Sequence, residues 1–259
     1  MLLAVDVGNT NVTLALFDGD RLAADWRVTS HRERTADEMA VELRQLFDLR
    51  GFELSVVDGV VISSVVPTIN PALVEASRRY LKCEPVMVGP GVKTSVRIRY
   101  ENPKDVGADR IANALAAYTK YGGPVIVIDF GTAVTYDAIS AEGDYLGGAI
   151  APGVEISLDA LVSHTAMLRR VEAVAPDSVI GRNTVSSIQS GLMWGFVAQV
   201  EGMVERMIGE LGGKARVVAT GGQAALIAEL THVIESTDPL LTLDGLRLIY
   251  AQNADGGAR

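Results

Sequence analysis

One short pattern occurs twice in the chain, and it constrains the possible fold more than any other feature. Asp6 and Asp129 each end an apolar run, each is followed two residues later by glycine, and a second apolar run comes after each turn. The constant offset between the copies also aligns Thr13 with Tyr136. Two apolar runs joined by a polar, glycine-bearing turn predict a β-hairpin. The repeat therefore indicates an α/β chain of two related halves, each opening with three strands.

The segments between the two copies alternate between helical and strand patterns. Residues 35–38 have the spacing of a capping box, and apolar residues then recur at helical intervals through Leu49. The apolar run over residues 56–66 predicts a buried strand, and residues 70–81 predict a helix that begins with an Asn-Pro pair. A further helix is expected to begin close to Asp109. Strands that alternate with helices indicate a sheet covered by helices.

The second half of the chain is rich in glycine. Residues 147–153 read GGAIAPG and are expected to form a loop. Gly191 and Gly195 lie four residues apart in a long helical pattern, where each costs up to ~1 kcal/mol relative to alanine, so we expect close packing against another helix, within the chain or across a dimer. The remaining patterns predict helices over residues 154–167, 183–211 and 223–230 and a strand over residues 216–219. We expect two halves, residues 1–120 and 121–250, and a flexible tail, residues 251–259.

Composition excludes several classes of protein. The 259 residues contain 23 Lys plus Arg against 32 Asp plus Glu, a formal charge of −9 that argues against nucleic acid as a partner. A single cysteine, Cys83, excludes an internal disulfide framework, and a bound metal would be held by oxygen. Asp6 interrupts the apolar start that a signal peptide needs, and no apolar run is long enough to span a membrane. We therefore expect a cytoplasmic protein without a membrane partner.

Three predicted strand ends carry residues suited to binding phosphate. These are Asp6–Thr10, Asp129–Thr132 and Thr220–Gly222. Glycine lets a backbone approach a phosphate closely, neighbouring amides and hydroxyls donate hydrogen bonds, and a carboxylate at a strand end can hold Mg²⁺ directly or through water. A single such turn is more often an ordinary polar turn, but its duplication at a fixed offset favours a nucleotide site.

Other phosphate-binding and covalent motifs fail on inspection. The Gly213-Lys214 pair lacks both the first glycine and the hydroxyl of a Walker A loop, and no G-x-G-x-x-G is present. Phosphatases that form an aspartyl phosphate need a second aspartate where this chain has Gly8 and Gly131. No Ser-His-Asp arrangement supports a hydrolytic nucleophile.

The segment GADR, Gly107–Arg110, is the remaining candidate for chemistry. A carboxylate at this predicted helix start can accept the proton of a substrate hydroxyl, and the adjacent guanidinium can bind a carboxylate or phosphate through two hydrogen bonds. The alternative is an ordinary helix start, at which an acid is stabilised by the positive end of the helix dipole.

The motifs DVGNT, GADR, DFGTAVTYD, GGAIAPG and ATGG, in this order between Met1 and about Tyr250, resemble those of type III pantothenate kinases. These enzymes belong to the superfamily of acetate kinase, sugar kinases, Hsp70 and actin. The resemblance implies a duplicated ribonuclease-H-like (actin-like ATPase) fold with two βββαβα-type halves. It also implies ATP-dependent phosphorylation of the terminal hydroxyl of pantothenate, the first step of coenzyme A synthesis.

The same resemblance implies roles for individual residues. Asp109 is the expected catalytic base, Asp6 the expected Mg²⁺ ligand, directly or through water, and Asp129 the expected ligand of a monovalent cation, K⁺ or NH₄⁺. Thr184 is expected to reach the acceptor pocket from the partner subunit of a homodimer. The residues expected around ATP are Asp6, Val7, Gly8, Asn9, Thr10, Asn11, Val12, Thr13 and Thr132, and those around pantothenate are Tyr100, Gly107, Ala108, Asp109, Arg110 and Thr184.

Three alternatives remain open from the sequence. The same fold can phosphorylate another acceptor, such as a sugar or a short carboxylate. A related protein is described as an accessory factor for transcription, so a nucleotide-binding regulator is a second possibility. The third is a dimeric scaffold whose functional surface is the helix that carries Gly191 and Gly195.

Overall fold

The structure, a computed structural model, describes residues 1–254, and its contacts divide the chain into two compact units. The first unit contains residues 1–96, 101–116 and 241 onward, and the second contains residues 97–100 and 117–240. Compared with the expected halves, 1–120 and 121–250, the last helix belongs to the N-terminal unit. That helix reaches Asn253, so residues 251–253 of the expected tail are helical. Residues 255–259 of that tail lie outside the described residues.

The strands of the described residues are β1 (Leu2–Val7), β2 (Asn11–Asp18), β3 (Arg21–Thr29), β4 (Gly59–Ser64), β5 (Val86–Met87), β6 (Val125–Phe130), β7 (Ala133–Ile139), β8 (Tyr145–Pro152), β9 (Arg216–Gly221) and β10 (Ser236–Thr237). The α-helices are α1 (Ala36–Leu49), α2 (Asn70–Ala76), α3 (Ala108–Tyr121), α4 (Val154–Ser163), α5 (Thr184–Glu210), α6 (Ala224–Ala228) and α7 (Leu241–Asn253). A π-helical turn, Ser77–Leu81, continues α2, and short 3₁₀ helices cover Leu54–Val56, Pro67–Ile69 and Pro103–Asp105.

Each unit is built on a five-stranded sheet with the same topology. The order is β3-β2-β1-β4-β5 in the first unit and β8-β7-β6-β9-β10 in the second. In both sheets the first three strands are antiparallel, and the fourth and fifth run parallel to the first. The duplicated fold and the three-strand opening of each half are therefore confirmed.

The two copies are one residue out of step beyond the turn. Asp6 pairs with Thr13 across the first hairpin, but Asp129 pairs with Thr135 across the second. The turn between β6 and β7 is one residue shorter than that between β1 and β2, so the constant offset ends at the turn. The alignment of Thr13 with Tyr136 was therefore wrong, and Thr135 is the equivalent residue.

The segment 147–153 is mostly strand, and its prediction as a loop was wrong. Residues through Pro152 form β8, which pairs along its length with β7 at the edge of the second sheet. Backbone hydrogen bonds stabilise this strand without large side chains, and Gly147 accommodates a positive φ of 125° beside an irregularity in the pairing.

Most helix predictions are confirmed, with changes at their ends. The capping box of α1 forms as expected, because the Thr35 hydroxyl accepts a hydrogen bond from the Glu38 amide and the Glu38 carboxylate accepts one from Thr35. The helix expected over 154–167 ends at Ser163, and the strand expected over 56–66 shortens to Gly59–Ser64. No helix of the described residues is long and apolar enough to cross a membrane.

In each unit the sheet packs against helices through a separate apolar core. In the first unit the core includes Trp26 and Phe47, whose rings stack with centroids 5.0 Å apart. Helix α7 crosses α3 closely there, because a Cβ at Gly245 would lie 2.0 Å from the Ala112 carbonyl oxygen. In the second unit, residues such as Val200 on α5 pack on the sheet. The fold thereby fixes the strand ends and the start of α3, which carry the candidate site.

Candidate active site

The turn between β1 and β2 is tight and exposes its tip. The Gly8 amide donates a 2.9 Å hydrogen bond to the Asn11 carbonyl, and a Cβ on Gly8 would lie 3.1 Å from that oxygen. Asn9 and Thr10 at the tip are exposed, and Asp6 precedes them on β1. The turn can therefore offer backbone amides, a hydroxyl and a nearby carboxylate to a phosphate and its metal ion.

The start of α3 holds Asp109 in a constrained position. A Cβ on Gly107 would lie 2.3 Å from Asp109 Oδ1, so glycine leaves room for the carboxylate. The Arg110 amide donates a 2.8 Å hydrogen bond to the same oxygen. The Arg110 side chain is buried, and the Gly107 carbonyl accepts the first helical hydrogen bond, from Ile111. GADR is thus a preorganised helix start, not a flexible loop.

Burial raises the pKa of Asp109 above its ordinary value of 3.8. The hydrogen bond from the Arg110 amide and the positive charge of Arg110 oppose this change but do not cancel it. A carboxylate with a raised pKa holds a proton more readily near neutral pH, which suits a group that must accept one during reaction.

The second turn lies in the second unit, where three glycines surround the strand end that carries Asp129. The Gly131 amide donates a 3.0 Å hydrogen bond to the Ala133 carbonyl, as in the first turn. At Gly221, φ is +91°, and a Cβ there would lie 2.6 Å from both Asp129 Oδ1 and the Phe130 carbonyl oxygen. These two oxygens therefore occupy the space that a side chain at position 221 would need.

Gly153 packs against the second turn, a contact that the sequence analysis did not predict. Its amide donates a 3.0 Å hydrogen bond to the Thr132 carbonyl, and a Cβ there would lie 2.5 Å from the carbonyl oxygens of Gly131 and Thr132. Gly153 thus fixes the conformation of the second turn. The available signal was the GGAIAPG motif, which ends on this residue.

Tyr100 packs on a buried pair that the sequence analysis also missed. Its ring lies 6.4 Å from that of Tyr145, centroid to centroid, and a Cβ on Gly147 would lie 3.5 Å from it. The Tyr145 hydroxyl donates a 2.8 Å hydrogen bond to Asp137 Oδ1, and both of these side chains are fully buried. The Thr135 hydroxyl donates to the other Asp137 oxygen at 3.3 Å. Thr135 and Asp137 lie two residues apart on β7, within the motif DFGTAVTYD, but no spacing in the sequence relates them to Tyr145 or Tyr100.

Thr184 is the exposed first residue of α5. Asn183 caps this helix by accepting a 2.9 Å hydrogen bond from the Ser186 amide. Thr184 lines an open groove of about 1080 Å³ in the second unit, together with Leu161, Gly191 and Gly195. A Cβ on either glycine would meet no atom within 4 Å. Of the two alternatives expected at these glycines, close packing within the chain is therefore absent from the described residues, and packing across a dimer stays a prediction.

The structure distributes the candidate residues between the two units. The first contains residues 6–13 and 107–110, and the second contains Tyr100, Asp129, Thr132 and Thr184. No group of three or more His, Cys, Asp or Glu side chains in the described part of the chain could hold a metal ion. The oxygen donors at Asp6 fit Mg²⁺ that takes its other ligands from water and phosphate.

Comparison with known proteins finds one family over most of the chain. A family model described as type III pantothenate kinase matches residues 2–206. A protein of that description from Moorella thermoacetica is 55% identical over 253 residues, which cover 98% of this chain and 100% of that protein. Another, from Myxococcus xanthus, is 51% identical, covering 98% of this chain and 99% of its own.

Solved structures share the fold at low identity. The ethanolamine utilization protein EutJ from Carboxydothermus hydrogenoformans has a TM-score of 0.56 at 15% identity, covering 95% of this chain and 89% of that one. The activator of 2-hydroxyisocaproyl-CoA dehydratase from Clostridium difficile, with bound ADPNP, has a TM-score of 0.53 at 11% identity, covering 98% and 95%. These similarities show the duplicated ribonuclease-H-like, actin-like ATPase fold.

Proposed function

The chain belongs to the type III pantothenate kinase family, and we propose that it transfers the γ-phosphoryl group of ATP to the primary hydroxyl of pantothenate. This reaction is the first step of coenzyme A biosynthesis. The observation that carries the proposal is the similarity at about half identity over 98% of the chain to proteins described as type III pantothenate kinases. The site geometry supports each part of the chemistry in turn.

The two turns supply the nucleotide site in this proposal. Residues 6–13 bind the phosphates of ATP, with Asp6 on the Mg²⁺ directly or through water, and Thr132 makes a further nucleotide contact. The support is the tight, exposed geometry that both turns share. Mg²⁺ supplies positive charge to the phosphate oxygens, and the turn amides hold those oxygens in place.

Asp109 is the proposed catalytic base. Phosphoryl transfer passes through a loose transition state, so the main task is to hold the acceptor hydroxyl in line with the γ-phosphorus. The carboxylate accepts a hydrogen bond from that hydroxyl and takes its proton as the new P–O bond forms, while the bond from the γ-phosphorus to the bridging oxygen breaks and ADP leaves. The raised pKa and the fixed position of Asp109 support this role.

Asp129 is the proposed ligand of a monovalent cation, K⁺ or NH₄⁺. Asp129 Oδ1 and the Phe130 carbonyl oxygen converge beside Gly221, and oxygen donors of this kind suit such a cation. The cation would add positive charge near the phosphates in a chain whose formal charge is −9.

The acceptor contacts assigned to Tyr100, Gly107–Arg110 and Thr184 are also part of the proposal. The Arg110 guanidinium can pair with the carboxylate of pantothenate through two hydrogen bonds. The side chain of Tyr100 is partly exposed, and its ring is tilted against that of Tyr145, which suits contact with a small substrate.

We infer a homodimer from the surface around Thr184. Monomeric proteins rarely expose large contiguous apolar patches. Here the groove beside Thr184 contains two glycines that face open space, and large apolar side chains are exposed on β8, α4, the segment before α5 and the start of α5. The exposed side chains are Leu146, Ile150, Ile156, Leu161, Met167, Val174, Val179, Ile180 and Val185. In this proposal a second copy covers the groove and buries Leu161 and the two glycines, and its Thr184 reaches the acceptor.

The proposed activity is tested by ADP release from Mg-ATP with a panel of acceptors, in parallel Na⁺ and K⁺ buffers. We expect release with pantothenate, stimulated by K⁺, and none with sugars or acetate. Release with another acceptor alone, or ATP binding without any turnover, would contradict the proposal.

A further inference from the structure

An arginine-bearing segment adjoins the first turn, and the proposed nucleotide site gives it no role. The chain leaves β3 at Thr29, and the next amide, that of Ser30, donates a 2.9 Å hydrogen bond to the Thr10 carbonyl. Two residues later, Arg32 Nη2 donates a 3.2 Å hydrogen bond to Asn9 Oδ1 at the tip of the turn. The fold thus holds one guanidinium directly beside the turn.

The charge of Arg32 has no carboxylate partner among residues 1–254. Its described contact is with the neutral Asn9 side chain, and no carboxylate of residues 1–254 forms an ion pair with it. Arg34, two residues further on, differs because it pairs with Glu42 on α1. Arg32 is exposed, and most of its five N–H donors can still bind a ligand, whereas the guanidinium of Arg34 is held by its ion pair.

We propose that Arg32 is a further phosphate-binding residue, whose guanidinium binds the terminal phosphate of the nucleotide at the Gly8–Asn11 turn. This inference rests on the proposed nucleotide site. The terminal phosphate is the one that must come to the acceptor hydroxyl, and Asp109, the proposed base for that hydroxyl, belongs to the same unit as the turn. A cation there offsets charge on the phosphoryl oxygens during transfer.

Arg32 discriminates between nucleotides in this proposal. Because it binds the terminal phosphate of ATP, its removal weakens ATP binding more than ADP binding. Loss of one charge-assisted hydrogen bond predicts a decrease of about tenfold to a hundredfold in kcat/KM for ATP in Arg32→Gln. Arg32→Lys keeps the charge without the planar fork and should recover part of the loss.

The test is titration calorimetry of ATP and ADP with the full-length wild type, Arg32→Gln and Arg32→Lys, followed by steady-state kinetics. The control is Arg44→Gln, which removes the same charge from the exposed face of α1, where Arg44 faces Asp48. We expect selective loss of ATP affinity in Arg32→Gln, partial recovery in Arg32→Lys and no change in Arg44→Gln.

Equal affinities of wild type and Arg32→Gln for both nucleotides would overturn the inference, as would an equal loss in the Arg44→Gln control. A failure of the proposed pantothenate kinase activity gives a different result from a failure of the Arg32 inference. A wild type that binds ATP in an Arg32-dependent way but phosphorylates no pantothenate would refute the acceptor and leave the role of Arg32 in place.

Discussion

Replacing Gly221 by alanine tests whether the strand end beside Asp129 requires a glycine at this position. The backbone there has φ of +91°, which L-residues with a side chain rarely adopt. The new methyl group would lie 2.6 Å from Asp129 Oδ1 and from the Phe130 carbonyl oxygen, and 2.7 Å from the Phe130 carbonyl carbon. Two of these three contacts are with backbone, which cannot rotate away as a side chain can.

Two costs follow from that geometry. The backbone strain is about 1–3 kcal/mol, and forcing a methyl group into a filled space costs about 1–3 kcal/mol. Together they reach about 2–6 kcal/mol. The free energy of unfolding of a typical native protein is about 5–15 kcal/mol, so this is a large part of it. Relief of the clash requires movement of the Asp129 carboxylate or of the Phe130 backbone, and either movement changes the proposed cation site.

The assay is denaturant unfolding of Gly221→Ala, together with the K⁺ dependence of ADP release. The control is Gly209→Ala near the end of α5, where a Cβ meets no atom within 4 Å and alanine should stabilise the helix by up to ~1 kcal/mol. We expect a lower unfolding midpoint and a higher K⁺ requirement in Gly221→Ala and neither in the control. Wild-type stability and K⁺ response in Gly221→Ala would refute the reasoning.

Three other substitutions test separate parts of the account. Asp109→Asn should lower kcat by about 10²-fold or more, yet stabilise the fold at pH 7. The raised pKa of Asp109 means that the folded state binds this proton more tightly than the unfolded state does, so the wild-type protein loses stability as pH rises through that pKa. The difference in stability between wild type and Asp109→Asn should therefore vanish in acid. Equal melting temperatures of the two proteins at pH 7 as well as in acid would contradict this. Tyr145→Phe removes a donor to the buried Asp137 and loosens the support of Tyr100, so KM for pantothenate should rise more than kcat falls, and an unchanged KM would remove Tyr145 from substrate positioning. Gly191→Glu should give a folded monomer by light scattering, whereas Gly209→Glu on the same helix should stay dimeric; a dimeric Gly191→Glu would place the interface elsewhere.

The general architecture was predictable because it is encoded in local patterns. The duplicated Asp-x-Gly turn identified both sheets, since an apolar run, a glycine turn and a second apolar run leave few alternatives to a hairpin. The capping box at Thr35 and the long apolar stripe of α5 fixed helices in the same way. The alignment of the two copies failed only beyond the turn, because a constant offset does not account for a one-residue difference in turn length.

The errors and omissions have a different physical origin. Glycine-rich residues 147–153 look like a loop because the strand they form is stabilised by pairing with β7, a contact distant from their own side chains. The roles of Gly153 and of the Asp137–Tyr145 pair depend on which backbones approach each other in the folded chain. At Gly191 and Gly195 the sequence indicated close packing within the chain or across a dimer. The described residues leave this surface open, so packing across a dimer stays a prediction.

Mass spectrometry of pantothenate after incubation with the protein, Mg-ATP and K⁺ tests the central claim most directly. The account predicts that pantothenate gains one phosphoryl group on its primary hydroxyl, and that Asp109→Asn, still folded and still binding ATP, forms almost none of this product. Unmodified pantothenate in a reaction whose wild-type protein binds ATP would contradict the proposed function, and rapid product formation by Asp109→Asn would contradict the assignment of the base.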